Sequence, residues 1–287
     1  MATSFLPNLG RFEATKAATP KVKASLPLSG FADNISQNLK SMRYGSKKLE
    51  LELKLTPKNP IIIEGFPGLG FVATIVTEYL MDHLKMHSIG KLWSPRLAPM
   101  ALVHGKRVVQ PIEIFHNDKY NIIVLEAVAG VTGMEWEVAD AVLELYKKTK
   151  AKEIIGIEGI GSPVVRKEPG AFYYTTQKEK IAGLEKAGLR AISEGAIFGV
   201  SGALMIKQPK NVRASFIFAE THSEMPDSRA AAKIIQVLDR YLDLDVDYKP
   251  LLKRAAEFEV KLKELIEQTK DASSLKKDKD PAIPYFG

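Results

Sequence analysis

Three runs of apolar residues in this chain are too continuous to lie half in water: "IIIE" at 61–64, "NIIVL" at 121–125 and "EIIGI" at 153–157. A strand with one wet face alternates polar and apolar residues, whereas a strand covered on both faces does not. Between these runs the spacing changes to that of a helix, as Val138, Val142, Leu145 and Tyr146 show with steps of three and four. Buried strands alternating with amphipathic helices define an α/β protein, and the expected architecture is a three-layer sandwich around a mostly parallel sheet. Strands are expected within 49–55, at 60–64, 88–93, 100–104, 107–115, 120–126, 153–158, 171–176 and 214–219. Helices are expected at 69–86, 135–150, 178–187 and 227–242.

This domain is expected to run from 49 to 247. Residues 1–48 carry eight Lys or Arg against Glu13 and Asp33, a net +6, and "KAATPKVKASLPLSG" has no periodicity, so the segment reads as a flexible basic tail. Of 41 basic and 34 acidic residues in all, 33 and 32 then remain for the rest, a net +1. A nearly neutral folded part argues against a nucleic-acid groove. After the domain, Leu251, Ala255, Phe258, Leu262 and Leu265 are spaced 4, 3, 4 and 3, which draws a narrow apolar seam on an amphipathic helix at 248–270. Such a seam needs a partner surface, either its own domain or another subunit. Residues 271–287 read as a solvated linker and tail. There is no cysteine, which removes disulfides and thiol catalysis and fits a cytoplasmic protein. No stretch is apolar enough for a membrane span: 61–81 is interrupted by Glu64 and Glu78.

The glycines of "EGFPGLGF" follow a strand and open a helix, the position of many phosphate loops. The chemistry of one is missing. Gly65, Gly68 and Gly70 do not have dinucleotide spacing, no Lys-Ser/Thr pair follows, and Pro67 removes a backbone donor. The loop therefore reads as a tight turn that lets a helix approach the sheet at Gly70 and leaves Phe66 near the surface.

Four expected strands end in a carboxylate, at Glu64, Glu126, Glu158 and Glu220. Ligands of open parallel sheets bind beyond the carboxyl ends of the strands, so these side chains form a candidate rim for a hard cation or for general acid chemistry. The plainer reading is that each accepts hydrogen bonds from the loop that follows. His83 and His87 are four apart but lack the intervening Glu of a zinc-protease helix, and read as a helix surface. Ser201 in "GVSGAL" lacks the spacing of a nucleophile elbow and reads as a turn or cap residue. These residues imply no metal and no cofactor.

Taken together and in order, "EGFPGLGFVATIVTEYL", "NIIVLEAVAG", "AKEIIGIEGIGSP", "GAIFGVSGALM", "FAETHSEMPDSRAAAKIIQVL" and "LLKRAAEFEVKLKEL" resemble the proteasome assembly chaperone family in its archaeal branch. The resemblance implies a nucleoside-phosphorylase-like fold, self-association, no catalytic residues, and a partner in the proteasome α subunits or α ring. Phe66, Pro67 and Leu69 would then be available for contact. The family's tail motif, hydrophobic-tyrosine-any residue, has a counterpart in Tyr285, Phe286 and Gly287, with Phe286 at the tyrosine place and its phenolic hydroxyl lost. Relatives also resemble ATP-grasp ligases. The competing expectation is thus a phosphorylase-like or ligase-like enzyme using the carboxylate rim, and the two differ in whether charged groups converge in a closed pocket.

Overall fold

The computed structural model describes residues 49–97, 102–104, 107–128, 130–162, 168–221 and 225–253. The N-terminal tail, Ala255, Phe258, Leu262 and Leu265 of the seam, and Tyr285, Phe286 and Gly287 lie outside the described residues.

The strands are β1 (Glu50–Leu53), β2 (Ile61–Gly65), β3 (His87–Trp93), β4 (Leu102–His104), β5 (Arg107–Val109), β6 (Ile112–Asn117), β7 (Ile122–Ala127), β8 (Glu153–Gly161), β9 (Ala171–Thr175), β10 (Arg190–Ala191) and β11 (Ala214–Thr221). Nine of them form one sheet in the order β1-β3-β6-β7-β2-β8-β11-β9-β10, and β4 and β5 pair separately as a small hairpin. The helices are α1 (Val72–His83), α2 (Glu135–Thr149), α3 (Lys178–Lys186), α4 (Gly199–Lys207) and α5 (Ser228–Leu242).

The sheet is mixed rather than mostly parallel. Strands β7, β2, β8 and β11 run parallel at its centre, and β10 runs parallel to β9 at one edge. The other four pairings, β1 with β3, β3 with β6, β6 with β7, and β9 with β11, are antiparallel. Connection length explains the flank. Residues 118–121 are too few to carry a crossover, which takes a dozen or more residues and usually a helix, so β6 and β7 can only form a hairpin. Between β3 and β6 the chain makes the β4–β5 hairpin, and no helix occurs there among the described residues.

Alternation along the central strands sends side chains to two separate cores. Ile62, Ile123, Leu125, Ile154, Phe216 and Phe218 pack with Val138, Val142 and Leu145 of α2 and with Val200 and Leu204 of α4. Their sequence neighbours Ile63, Val124, Ile155, Ile157 and Ile217 pack with Val72, Val76 and Leu80 of α1, Leu184 of α3, and Ile234 and Leu238 of α5. The buried sheet thus carries helices on both faces, as the continuous apolar runs require. Residues 249–253 are also helical, and Leu251 is buried in the second core.

Local chemistry sets the helix ends. In α2, Glu135 and Glu137 lie in the first turn and Lys147 and Lys148 in the last, which complements the helix dipole. The Asp227 carboxylate caps α5 by accepting from the amides of Arg229 (3.1 Å) and Ala230 (2.9 Å). The turn from β2 to α1 depends on Gly70, whose φ of +66° is left-handed and whose missing Cβ would stand 2.6 Å from Thr221 Oγ1. That close approach of helix and sheet is the one expected from the loop sequence.

Candidate functional site

Strand register decides which of the four rim carboxylates meet. Glu64 lies beside Gly156 and Leu125, while Glu126 lies one step further, beside Gly65. A one-step offset sends Glu126 to the opposite face of the sheet. Glu158 is two residues beyond Gly156 and so shares the face of Glu64. Glu220 is paired with Ile160 and also shares that face, but its Oε2 accepts from the Gly170 amide at 2.9 Å, on the approach to β9. The structure brings Glu64 and Glu158 together and directs Glu126 and Glu220 elsewhere.

Glu64 is fully buried beneath α4, where Ser201 Oγ donates to its Oε1 at 2.7 Å. Its Oε2 has no hydrogen-bond partner among the described residues. Burial pushes the Glu64 carboxyl up to about 8, and the Ser201 hydroxyl only partly opposes this. Glu158 is also pushed up to about 8, first by burial and then by the neighbouring Glu64 charge, against the lowering effect of the backbone hydrogen bond at Gly159. Both carboxyls are thus shifted toward their protonated forms. The chain crosses directly over Glu158 at Gly68, where a Cβ would fall 1.9 Å from Oε1, so a side chain there would have to displace the Glu158 carboxyl.

Glu158 opens into a cavity of about 470 Å³ between the β2–α1 turn and the start of α4. The lining is largely apolar, including Phe66, Leu69, Val131, Ile160, Ile197 and Phe198, and its charged residues are Glu135 and Glu158. Of these, Glu158 is the carboxyl whose raised pKa suits it to hand a proton to a ligand, and a cation would first have to displace that proton. Ser201 is committed as a donor to Glu64.

Several sequence expectations change here. Phe66 is not near the surface: it is 3% exposed and belongs to the core under α2, because the turn folds its ring back over the sheet. The exposed aromatic at this site is Phe198, 77% exposed on the other lip of the cavity. Ser201 is not a turn or cap residue but a buried position inside α4, a helix absent from those expected on sequence periodicity. Its only sequence signal is the unbroken apolar stretch "GAIFGVSGALMI", which has no polar face to mark a helical period. His83 and His87 do not share a helix, since α1 ends at His83 and His87 opens β3.

At the opposite end of β8, buried Glu153 is fully engaged. It accepts from Ser215 Oγ (2.6 Å), Lys180 Nζ (2.5 Å) and the Tyr241 hydroxyl (3.2 Å to each oxygen). Burial, with the Glu153 charge second, raises the Tyr241 hydroxyl well above its ordinary range. This network ties β8, β11, α3 and α5 together.

A parallel-centred sheet covered on both faces, with a largely apolar cavity at the strand ends in place of a phosphate loop, defines the class of protein. The family model for PAC2 matches residues 62–266, and the chain belongs to the PAC2 family. Among solved structures it is similar to Pyrococcus furiosus PbaA, described as an archaeal homolog of proteasome-assembly chaperone, with a TM-score of 0.72 and 29% identity over 81% of this chain and 97% of that one. It is also similar to Pyrococcus furiosus PbaB, described as an archaeal proteasome activator, with a TM-score of 0.67 and 25% identity over 76% and 99% of the two chains. The Methanocaldococcus jannaschii protein MJ0106 is 27% identical over 227 residues, covering 78% of this chain and 92% of that protein. Among the described residues, no helix is long and apolar enough to cross a membrane.

Proposed function

We propose that this protein is a non-enzymatic proteasome assembly chaperone or proteasome-binding adaptor, which works in the cytoplasm as a homo-oligomer and engages proteasome α subunits. The observation that carries this reading is similarity over nearly the whole of PbaA and PbaB, whose descriptions name a proteasome-assembly chaperone homolog and a proteasome activator. The cavity supports it, because a largely apolar lining with two carboxyls offers little to polarise or attack a substrate. The exposed Phe198 at its lip suits contact with a protein surface.

In this reading the C-terminal residues Tyr285, Phe286 and Gly287 form the reaching peptide. The preceding "SSLKKDKDP" is too polar to bury itself, and Pro281 and Pro284 favour an extended chain, which lowers the cost of ordering on insertion. Two adjacent rings, Tyr285 and Phe286, supply the apolar burial. One such tail binds weakly; several on one oligomer bind with avidity.

The test is capture of purified proteasome α subunits by the full chain and by a chain lacking Tyr285–Gly287. Truncation is expected to abolish capture while oligomeric state and melting temperature stay unchanged, and Phe286→Tyr is expected to strengthen it. Capture undiminished by truncation would refute the tail and move the contact to the folded domain around Phe198. No capture by either chain would refute the proteasome reading itself and favour the rival, an enzyme centred on Glu64 and Glu158.

A further inference from the structure

We propose that His87, His116 and Asp118 form a binding site for one divalent transition-metal cation, with Zn²⁺ the best match to the ligands. His87 and His116 face each other across the antiparallel pair of β3 and β6, where opposite side chains are closest. Asp118 opens the turn that follows β6, which brings its carboxylate back to His116. One nitrogen from each histidine and one Asp118 oxygen lie within 4.8 Å of one another.

The buried member of the cluster carries the inference. His116 is 5% exposed, and its Nδ1 has no hydrogen-bond partner among the described residues. The other ring nitrogen is already assigned. Asn121 Nδ2 donates to the carbonyls of Lys58 (3.0 Å) and Asn59 (3.2 Å), which turns Asn121 Oδ1 toward His116 Nε2 at 3.1 Å. An oxygen at that place accepts, so Nε2 carries the proton and Nδ1 presents a lone pair. Asp118 Oδ1 lies 3.3 Å from that nitrogen without a hydrogen bond to it, while His87 Nδ1 approaches Asp118 Oδ2 at 3.8 Å. Two acceptors this close are stabilised by a cation held between them. A proton on His116 would serve one pair, but a second imidazole converging on the same carboxylate is the arrangement of a metal site.

The dimensions agree. Metal–ligand bonds of about 2.0–2.1 Å at tetrahedral angles put ligand atoms about 3.3 Å apart. His116 and Asp118 are already at that separation, and His87 and Asp118, with side chains 49% and 78% exposed, are free to close the remainder. Two nitrogens and one oxygen suit Zn²⁺ better than Mg²⁺ or Ca²⁺ and leave a fourth position for water. The Asn121 contact to the distal nitrogen is the outer support that histidine ligands usually have.

The experiment is calorimetric titration of ZnCl₂ into the tag-free full-length protein after dialysis against a chelator, with Co²⁺ substitution read by its visible d–d absorption. One strong Zn²⁺ per chain is expected, with no comparable Mg²⁺ binding, and Co²⁺ bands of four- or five-coordinate intensity. His87→Gln and Asp118→Asn, both at exposed positions that leave the fold intact, should each weaken Zn²⁺ binding at least tenfold and abolish the Co²⁺ bands. His83→Gln should change neither. Absence of a strong site, or a site unaffected by His87→Gln and Asp118→Asn, overturns the proposal and leaves His116 as a buried imidazole paired only by a proton.

Discussion

Replacing Glu64 with glutamine should make the protein more stable at neutral pH, by an amount that depends on pH in a calculable way. The Glu64 carboxyl is raised from an ordinary 4.5 to about 8 in the fold. Between these values the folded chain holds a proton that the unfolded chain has lost, so stability falls as pH rises through this window and levels off above about 8. One pH unit corresponds to about 1.4 kcal/mol. From pH 4.5 to pH 7 the loss is then about 3 kcal/mol, a large share of the 5–15 kcal/mol typical of a domain. The substituted amide would keep an oxygen to accept from Ser201 but has no proton to exchange. Any fixed cost of placing its nitrogen where Oε2 now lies is the same at every pH and cancels from the slope.

The assay is urea unfolding of wild type and Glu64→Gln at pH 5, 6, 7 and 8. The difference in unfolding free energy, mutant minus wild type, should grow in favour of the mutant by about 1 kcal/mol for each unit of pH. Glu158 adds to the slope in both proteins, but less in the mutant, because part of its own rise comes from the Glu64 charge. Parallel stability curves across this range would refute the reasoning, since they would mean that Glu64 is ionised in the folded protein despite its burial.

Two other substitutions probe the frame around the site. Gly70→Ala should cost about 2–4 kcal/mol, combining a left-handed residue with a Cβ driven against Thr221, whose hydroxyl bonds the α5 cap Asp227 at 2.9 Å; thermal melting will read it, and an unchanged melting temperature would contradict the close approach. Lys180→Met should cost about 1–3 kcal/mol in urea unfolding, because it leaves buried Glu153 supported only by Ser215 and Tyr241, and the loss should shrink when Glu153→Gln is added.

What could be read from the sequence is what depends on a residue's near neighbours. The strands of the core announced themselves by unbroken apolar runs, and α2 and α5 by a one-sided period, because burial on two faces or on one leaves different local patterns. Features that depend on how strands slide past one another left no such pattern. Each of four apolar runs in the sequence closes on a Glu, yet the same place in a run is not the same height in a sheet: Glu126 stands beside Gly65 and not beside Glu64, and that single step moves it to the other face. The same limit hid His87 and His116, 29 positions apart and made neighbours only by the β3–β6 register. Helix α4 failed to show for a different reason. Val200, Ser201, Gly202, Ala203 and Leu204 are all buried, so no face of it is polar and its period has nothing to contrast with. The one polar side chain in that run, Ser201, is therefore the one whose presence needs a partner, and the buried carboxyl it answers belongs to a strand 137 positions away. A lone hydroxyl in a largely apolar helix and a lone carboxyl near the end of an otherwise apolar strand are each costly alone; the hydrogen bond between Ser201 and Glu64 Oε1 offsets part of that cost, and the pairing specifies which helix lies over which strand.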